Sequence, residues 1–258
     1  MPSQNALYLD LLKKVLTNTI YSDRPHPNAW QDNTDYRQAA RAKGTDWPTV
    51  AHTMIGLERL DNLQHCVEAV LADGVPGDFA ETGVWRGGAC IFMRAVLQAF
   101  GDTGRTVWVV DSFQGMPESS AQDHQADQAM ALHEYNDVLG VSLETVRQNF
   151  ARYGLLDEQV RFLPGWFRDT LPTAPIQELA VLRLDGDLYE STMDSLRNLY
   201  PKLSPGGFVI IDDYFLPSCQ DAVKGFRAEL GITEPIHDID GTGAYWRRSW
   251  LEHHHHHH

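Results

Sequence analysis

Cysteine, basic charge and long apolar runs are all scarce in this chain, and each shortage removes a class of protein. Three cysteines occur in 258 residues, Cys66, Cys90 and Cys219, widely spaced and without a CxxC pair. That pattern supports neither a disulfide framework nor a zinc knuckle, and it fits a reducing cytoplasm. Lys plus Arg number 21 against 35 for Asp plus Glu. Nothing in that balance would neutralise a run of phosphates, so a nucleic-acid binder is not expected. No apolar stretch approaches the ~20 residues of a membrane span. Residues 1–20 are interrupted by Asp10, Lys13 and Lys14 and lack the apolar centre of a secretion signal.

What is present is an ordinary globular composition, 43% hydrophobic and 22% charged, which excludes global disorder. Residues 251–258 read as an expression tag holding six of the 12 histidines; setting aside Glu252 with it turns the formal charge of −14 into −13. The remaining 250 residues suit one large α/β domain with elaborations and are short for two.

Periodicity supplies the organisation. Leu7, Leu11, Leu12, Val15, Leu16 and Ile20 recur at the spacing of one helix face. Residues 23–43 are polar, carry Pro25 and Pro27, and read as a loop or mobile cap. A helix over 53–72 is stopped by Gly74, Pro76 and Gly77. From there, short apolar runs at 78–82, 106–111, 159–163, 179–185 and 207–212 alternate with helical patterns at 89–100, 142–153 and 191–203. Such alternation requires a parallel sheet with helices on both faces. Residues 235–240 and 243–248, separated by Gly241 and Thr242, predict a hairpin that adds an antiparallel strand. Residues 118–140 form a polar insertion too long for a passive connection, hence a lid. The division expected is a helical cap at 1–77 and a core at 78–250.

Three features carry chemistry. The first strand runs through Glu81-Thr82-Gly83-Val84-Trp85-Arg86-Gly87-Gly88 into a helix. Glycines there let a ligand approach the backbone, and the helix start offers unpaired N–H groups; equally, they permit tight strand-helix packing. The spacing is GxxxGG and not the GxGxxG of dinucleotide folds. Asp111 ends the second strand, where a carboxylate can accept from both hydroxyls of a ribose. Asp185 and Asp187, then Asp212 and Asp213, follow two later strands at the edge where open parallel sheets bind ligands. On adjacent strands these acids lie about 5 Å apart. Without a cation they repel, and all-oxygen ligation selects a hard ion, Mg²⁺ first. Trp166 follows the third strand and can stack on an adenine or fill the core. His133 and Glu134 in the insertion are candidate substrate contacts. A metal-dependent glycosyltransferase using Asp185-Gly186-Asp187, an NAD-dependent oxidoreductase and a non-catalytic binding module are alternative readings of these features.

Six ordered strings make the chain resemble the macrocin O-methyltransferase family of antibiotic deoxysugar O-methyltransferases. They are Tyr8-Leu9-Asp10-Leu11-Leu12-Lys13, Thr49-Val50-Ala51-His52-Thr53-Met54-Ile55-Gly56, Glu81 to Gly88, Asp111-Ser112-Phe113-Gln114-Gly115, Leu184-Asp185-Gly186-Asp187 and Ile211-Asp212-Asp213-Tyr214. The resemblance implies a Rossmann-like seven-stranded methyltransferase sheet, S-adenosylmethionine as donor, Mg²⁺, and a homodimer. It places Asp185, Asp212 and Asp213 on the metal and makes Asp187 the general base. Glu81, Thr82 and Gly83 would hold the methionine end, Asp111 and Ser112 the ribose, and Gly165 with Trp166 the adenine. Met54 and Ile55 would close over the sulfonium, with Asp185 also near the donor; Trp47, Met54, His133 and Glu134 would face the sugar of a glycoside substrate.

Overall fold

The structure is a computed structural model that describes residues 3–28, 34–118 and 131–250. Helix α1 (Gln4–Leu16) leads into a two-stranded antiparallel ribbon, β1 (Pro25–His26) with β2 (Trp47–Pro48), which brackets α2 (Gln38–Lys43). Helix α3 (Gly56–Ala72) then enters the core. There follow β3 (Asp78–Thr82), α4 (Gly88–Ala99), β4 (Val107–Asp111), α5 (Asn136–Leu139), α6 (Leu143–Arg152), β5 (Val160–Pro164) and α7 (Phe167–Thr170). The chain ends with β6 (Leu179–Leu184), α8 (Tyr189–Leu199), β7 (Leu203–Ile211), α9 (Pro217–Leu230) and the hairpin β8 (His237–Asp238) with β9 (Ala244–Arg247).

The seven core strands lie in the order β5-β4-β3-β6-β7-β9-β8, and β9 alone runs against the rest. This is the seven-stranded, mostly parallel sheet expected, antiparallel strand included. Strand alternation explains the layering. Phe79, Val107, Val109, Val181, Phe208 and Ile210 face a core shared with α1, α3, α4 and α6. Their neighbours Ala80, Trp108, Val110, Leu182, Val209 and Ile211 face a second core under α8 and α9. Both faces are therefore apolar, as parallel strands between helices must be. Each fully buried Leu, Val or Phe contributes about 1.5–3 kcal/mol relative to exposure.

Several local expectations change. Helix α1 buries Leu9, Leu12 and Leu16, while Leu7, Leu11, Val15 and Ile20 are exposed. A four-residue spacing runs along two adjacent faces, and only one of them packs into the core, against α3 and α4. Residues 23–43 are not an open loop where they are described, since β1 and α2 form there. Asp23 ties them down, accepting from Arg41 Nη1 (2.6 Å), Val50 N (2.7 Å) and Asn18 Nδ2 (2.8 Å). Arg41 also meets Asp46 (2.9 Å) and is 1% exposed. Hydrophobic periodicity is blind to such a charged core. In the expected lid, residues 119–130 lie outside the described residues. Its end is anchored, with Trp85 Nε1 donating to the Val138 carbonyl (3.0 Å). Helix α9, opened by Pro217 and closed by left-handed Gly231, was not anticipated, although Pro inside a helix start and Gly past its end are its ordinary marks. Among the described residues, no helix is long and apolar enough to cross a membrane.

Candidate active site

Strand β3 pairs with β4 on one side and β6 on the other, so the chain reverses its direction of travel across the sheet at this point. Open α/β sheets bind ligands outside the strand ends at such a switch. A cavity of about 690 Å³ lies there, its wall including Met54, Gly83, Asp111, Ser112, Trp166, Asp185 and Asp187. Gly83 has a φ of 89°, and a Cβ on it would stand 2.2 Å from the Asp185 carbonyl oxygen. Only glycine lets the loop after β3 pass that after β6 so closely. Asp111 is held by two backbone donors, Val84 N to Oδ2 (2.7 Å) and Phe113 N to Oδ1 (2.9 Å). Burial pushes its carboxyl upward while these N–H groups pull it back.

The acids on β6 and β7 are brought together by register. Leu184 pairs with Ile211, so the residues that follow, Asp185 and Asp212, leave neighbouring strand ends side by side. One oxygen from each of Asp185, Asp187 and Asp213 lies within 4.8 Å of the others. Asp212 sits behind them, with Oδ1 accepting from Arg59 Nη1 (2.8 Å) and from Arg183 Nη2. Thus the geometry gathers Asp187 with Asp185 and Asp213, and gives Asp212 to the arginines. Burial first, then the charges of Asp185 and Asp212, raises Asp187 to about 7. Burial likewise lifts Asp185 and Asp213 well above the usual carboxylate range, reinforced by neighbouring carboxylates. Burial also opposes the charge on Asp212, but Arg59 and Arg183 prevail and hold it below that range. Asp187 adopts a left-handed φ of 64°. Its carbonyl is pinned by Ser218 Oγ (2.7 Å) and Cys219 Sγ (3.2 Å), which fixes where the side chain stands.

Other expected site residues lie around this centre. Glu81 is 1% exposed and turned inward, accepting from Arg183 Nη1 (2.5 Å) and Cys90 Sγ (3.2 Å). Thr82 accepts from Ser195 Oγ (2.9 Å), and the Ile55 side chain is packed in the core. Neither side chain forms cavity wall. Gly165, φ 129°, precedes Trp166, which reaches the cavity. Trp47 meets the ring of Tyr135 edge-on at 5.4 Å, beside His133 and Glu134 in the turn Leu132–Tyr135. These three gather between the cap and the end of the insertion, outside the described cavity wall.

Sequence reasoning missed Arg59 and Arg183, as well as Phe167, Arg168, Glu190 and Asp194 of the cavity wall. Arg183 did carry a signal. It is a lone charge inside the apolar run Leu179-Ala180-Val181-Leu182-Arg183-Leu184, and a fully buried guanidinium requires carboxylate partners.

Comparison with known proteins agrees with this geometry. A tetracenomycin-C derivative 4'-O-methyltransferase from Streptomyces olivaceus, acting on an 8-(2,3-dimethoxy-alpha-L-rhamnosyl) compound, is 66% identical over 94% of this chain and 93% of its own. The mycinamicin III 3''-O-methyltransferase of Micromonospora griseorubida is 59% identical over 94% of this chain and 96% of its own. The solved structure of the O-methyltransferase NovP superposes with a TM-score of 0.90 at 57% identity, covering 95% of this chain and 100% of that one. The profile of the family described as Macrocin-O-methyltransferase (TylF) matches residues 5–248. The chain therefore belongs to the macrocin O-methyltransferase family and is an O-methyltransferase, with S-adenosylmethionine the methyl donor that membership implies.

Proposed function

We propose that this enzyme methylates a hydroxyl on the deoxysugar of an antibiotic-type glycoside, and that it requires Mg²⁺. The observation that carries the reading is the convergence of Asp185, Asp187 and Asp213 at a cavity whose wall also holds Gly83, Asp111 and Trp166. The donor set fits a hard cation. Mg²⁺ prefers carboxylate and other hard oxygen ligands at about 2.0–2.1 Å, so oxygens already gathered within a few ångströms would need only small shifts to hold it. Carboxylates lifted first by burial and then by one another keep their charge only beside a cation. Asp185, Asp212 and Asp213 would hold the ion; both arginines bond Oδ1 of Asp212, which leaves Oδ2 as the oxygen it can offer. When bound, Mg²⁺ lowers the affinity of a sugar hydroxyl for its proton by stabilising the alkoxide.

The remaining work falls to the protein. Asp111 and Trp166 orient the adenosine half of the donor, and Met54 covers the sulfonium. Asp187 accepts the hydroxyl proton as the O–CH₃ bond forms and the S–CH₃ bond breaks, releasing S-adenosylhomocysteine. A general base works best with a proton affinity near the operating pH, and burial, the first cause acting on Asp187, raises its carboxyl in that direction. Alignment of oxygen, methyl carbon and sulfur supplies much of the acceleration. His133, Glu134 and Trp47 would meet the sugar or its aglycone from the cap side. The reading also includes a homodimer working in the cytoplasm; the apolar row Leu7, Leu11 and Val15 left exposed on α1 favours the dimer.

The glycosyltransferase and oxidoreductase readings give way with the family assignment. The test is a panel of deoxysugar glycosides incubated with labelled S-adenosylmethionine, with EDTA and with Mg²⁺ restored. Label should enter a glycoside, vanish in chelator and return with the ion. No labelled glycoside overturns the substrate class, and full activity in EDTA overturns the cation.

A further inference from the structure

Arg59 neither lines the cavity nor lies within any of the six sequence strings, yet its side chain is 4% exposed and every nitrogen of it is bonded. Nη1 donates to Asp212 Oδ1 (2.8 Å). Nε donates to Asp240 Oδ2 (3.1 Å), and Asp240 Oδ1 in turn accepts from Thr242 N and Gly243 N in the turn that joins β8 to β9. Nη2 donates to the carbonyls of Gly44 (2.6 Å) and Lys43 (3.2 Å), the C-terminal end of α2. One planar fork thus joins the carboxylate cluster, the terminal hairpin and the cap.

The cap contact closes a loop. Gly44 has a φ of 68°, and a Cβ there would stand 2.2 Å from the Ile55 carbonyl oxygen and 2.3 Å from Arg59 Nη2. A Cβ on Gly56 would stand 2.4 Å from Gly44 N. Residues 45–55 therefore leave and return through one neck of two glycines, plugged by the guanidinium. This loop carries Met54 into the cavity wall. We propose that Arg59 is a positioning residue that couples occupancy of the carboxylate cluster to the loop 45–55, so that the cation and the cover over the donor are set together; this rests on the cation-dependent reading above. An ion that draws on Asp212 changes the pull on Nη1, and a rigid fork passes that change to Gly44. A lysine keeps the charge but offers a single point donor that cannot span the three directions.

Hydrogen exchange read by mass spectrometry tests this with Mg²⁺ alone as the probe, on wild type, Asp213→Asn, Arg59→Lys and Gly44→Ala, each compared with itself without the ion. In wild type, Mg²⁺ should slow exchange at 207–216 and, by about tenfold, at 45–55, within the ~5–150-fold typical of coupled sites. Asp213→Asn should lose both responses. Arg59→Lys should keep the first and lose the second, as should Gly44→Ala, which alters the neck without touching Asp212. If Arg59→Lys loses both, Gly44→Ala decides. A response at 45–55 that persists in either neck variant overturns the coupling, as does a wild-type response confined to 207–216. No wild-type response in either segment removes the cation reading and the coupling with it.

Discussion

Around Gly83, Asp111 and Trp166 the cavity wall is made from backbone turns and one carboxylate satisfied by two N–H groups, whereas at Asp185 and Asp187, with Asp213 close behind them, it is made from charge. The first side is complete without a ligand. The second is not, because Arg59 and Arg183 compensate Asp212, Glu81 and part of Asp185 but leave Asp187 and Asp213 facing each other. Shape can be prepared in advance by glycine and turns. A cation site can be prepared only to the extent that internal arginines hold its carboxylates in place, and the difference tells which substitutions act on chemistry and which on folding.

The largest effect is expected at Asp187. Asp187→Asn should lower methyl transfer by about 10²–10⁴-fold, the range for a lost general base, while S-adenosylhomocysteine binding measured by calorimetry stays within about twofold. Equal losses in binding and turnover would show that Asp187 shapes the donor site and would blur the two halves. Next is Arg183→Met, which strands Glu81 as a buried charge and leaves Asp212 to Arg59 alone. Breaking one side of a buried ion-pair network costs about 3–5 kcal/mol, so the urea midpoint should fall sharply. A loss below about 1 kcal/mol would mean that the carboxylates simply protonate, and that the arginines do not organise the charged half.

That asymmetry also governs what the sequence revealed. The sheet was legible because its strands are apolar on both faces and are broken by helices at regular intervals, and the lone reversed strand announced itself through Gly241 and Thr242. Gly83, Asp111, Trp166 and the acids after β6 and β7 were legible because each stands at a strand end, a place that sequence fixes. Arg59 was not, since its partners Gly44, Asp212 and Asp240 are remote in sequence and only the fold unites them. Asp23 with Arg41 escaped for the same reason, which made a charged core read as a loop. That Asp187 stands with Asp185 and Asp213 while Asp212 Oδ1 faces two guanidinium groups is likewise invisible to spacing, because it depends on which way a guanidinium points.

A smaller effect should follow Gly83→Ala. Placing a side chain at positive φ against the Asp185 carbonyl costs about 1–3 kcal/mol of strain. For a chain of this size, Tm should fall by roughly 2–4 °C per kcal/mol, and S-adenosylhomocysteine should bind more weakly. An unchanged Tm would mean that the two loops part freely, removing the preformed character assigned to the donor half.

The smallest effect, and a test confined to the donor half, concerns His52. Its carbonyl accepts from Gly88 N at the start of α4 (2.9 Å), and its Nδ1 lies 2.6 Å from the Tyr153 hydroxyl. Burial first, then the charges of Arg86 and Arg152, lowers its pKa from an ordinary 6.5 to about 4. Between those values the unfolded chain binds a proton that the folded chain refuses, so stability rises with pH across that window. The contribution is fully present above about 6.5 and is lost as pH falls toward 4. His52→Asn should therefore flatten the fall in Tm between pH 6.5 and pH 4.5 by about 2–4 °C per pH unit, the scale expected when most of one proton is taken up across that window in a chain of this size. Parallel curves for the variant and wild type would place the acid sensitivity elsewhere, in the carboxylate half, and would make the donor half inert to pH as well as complete without its ligand.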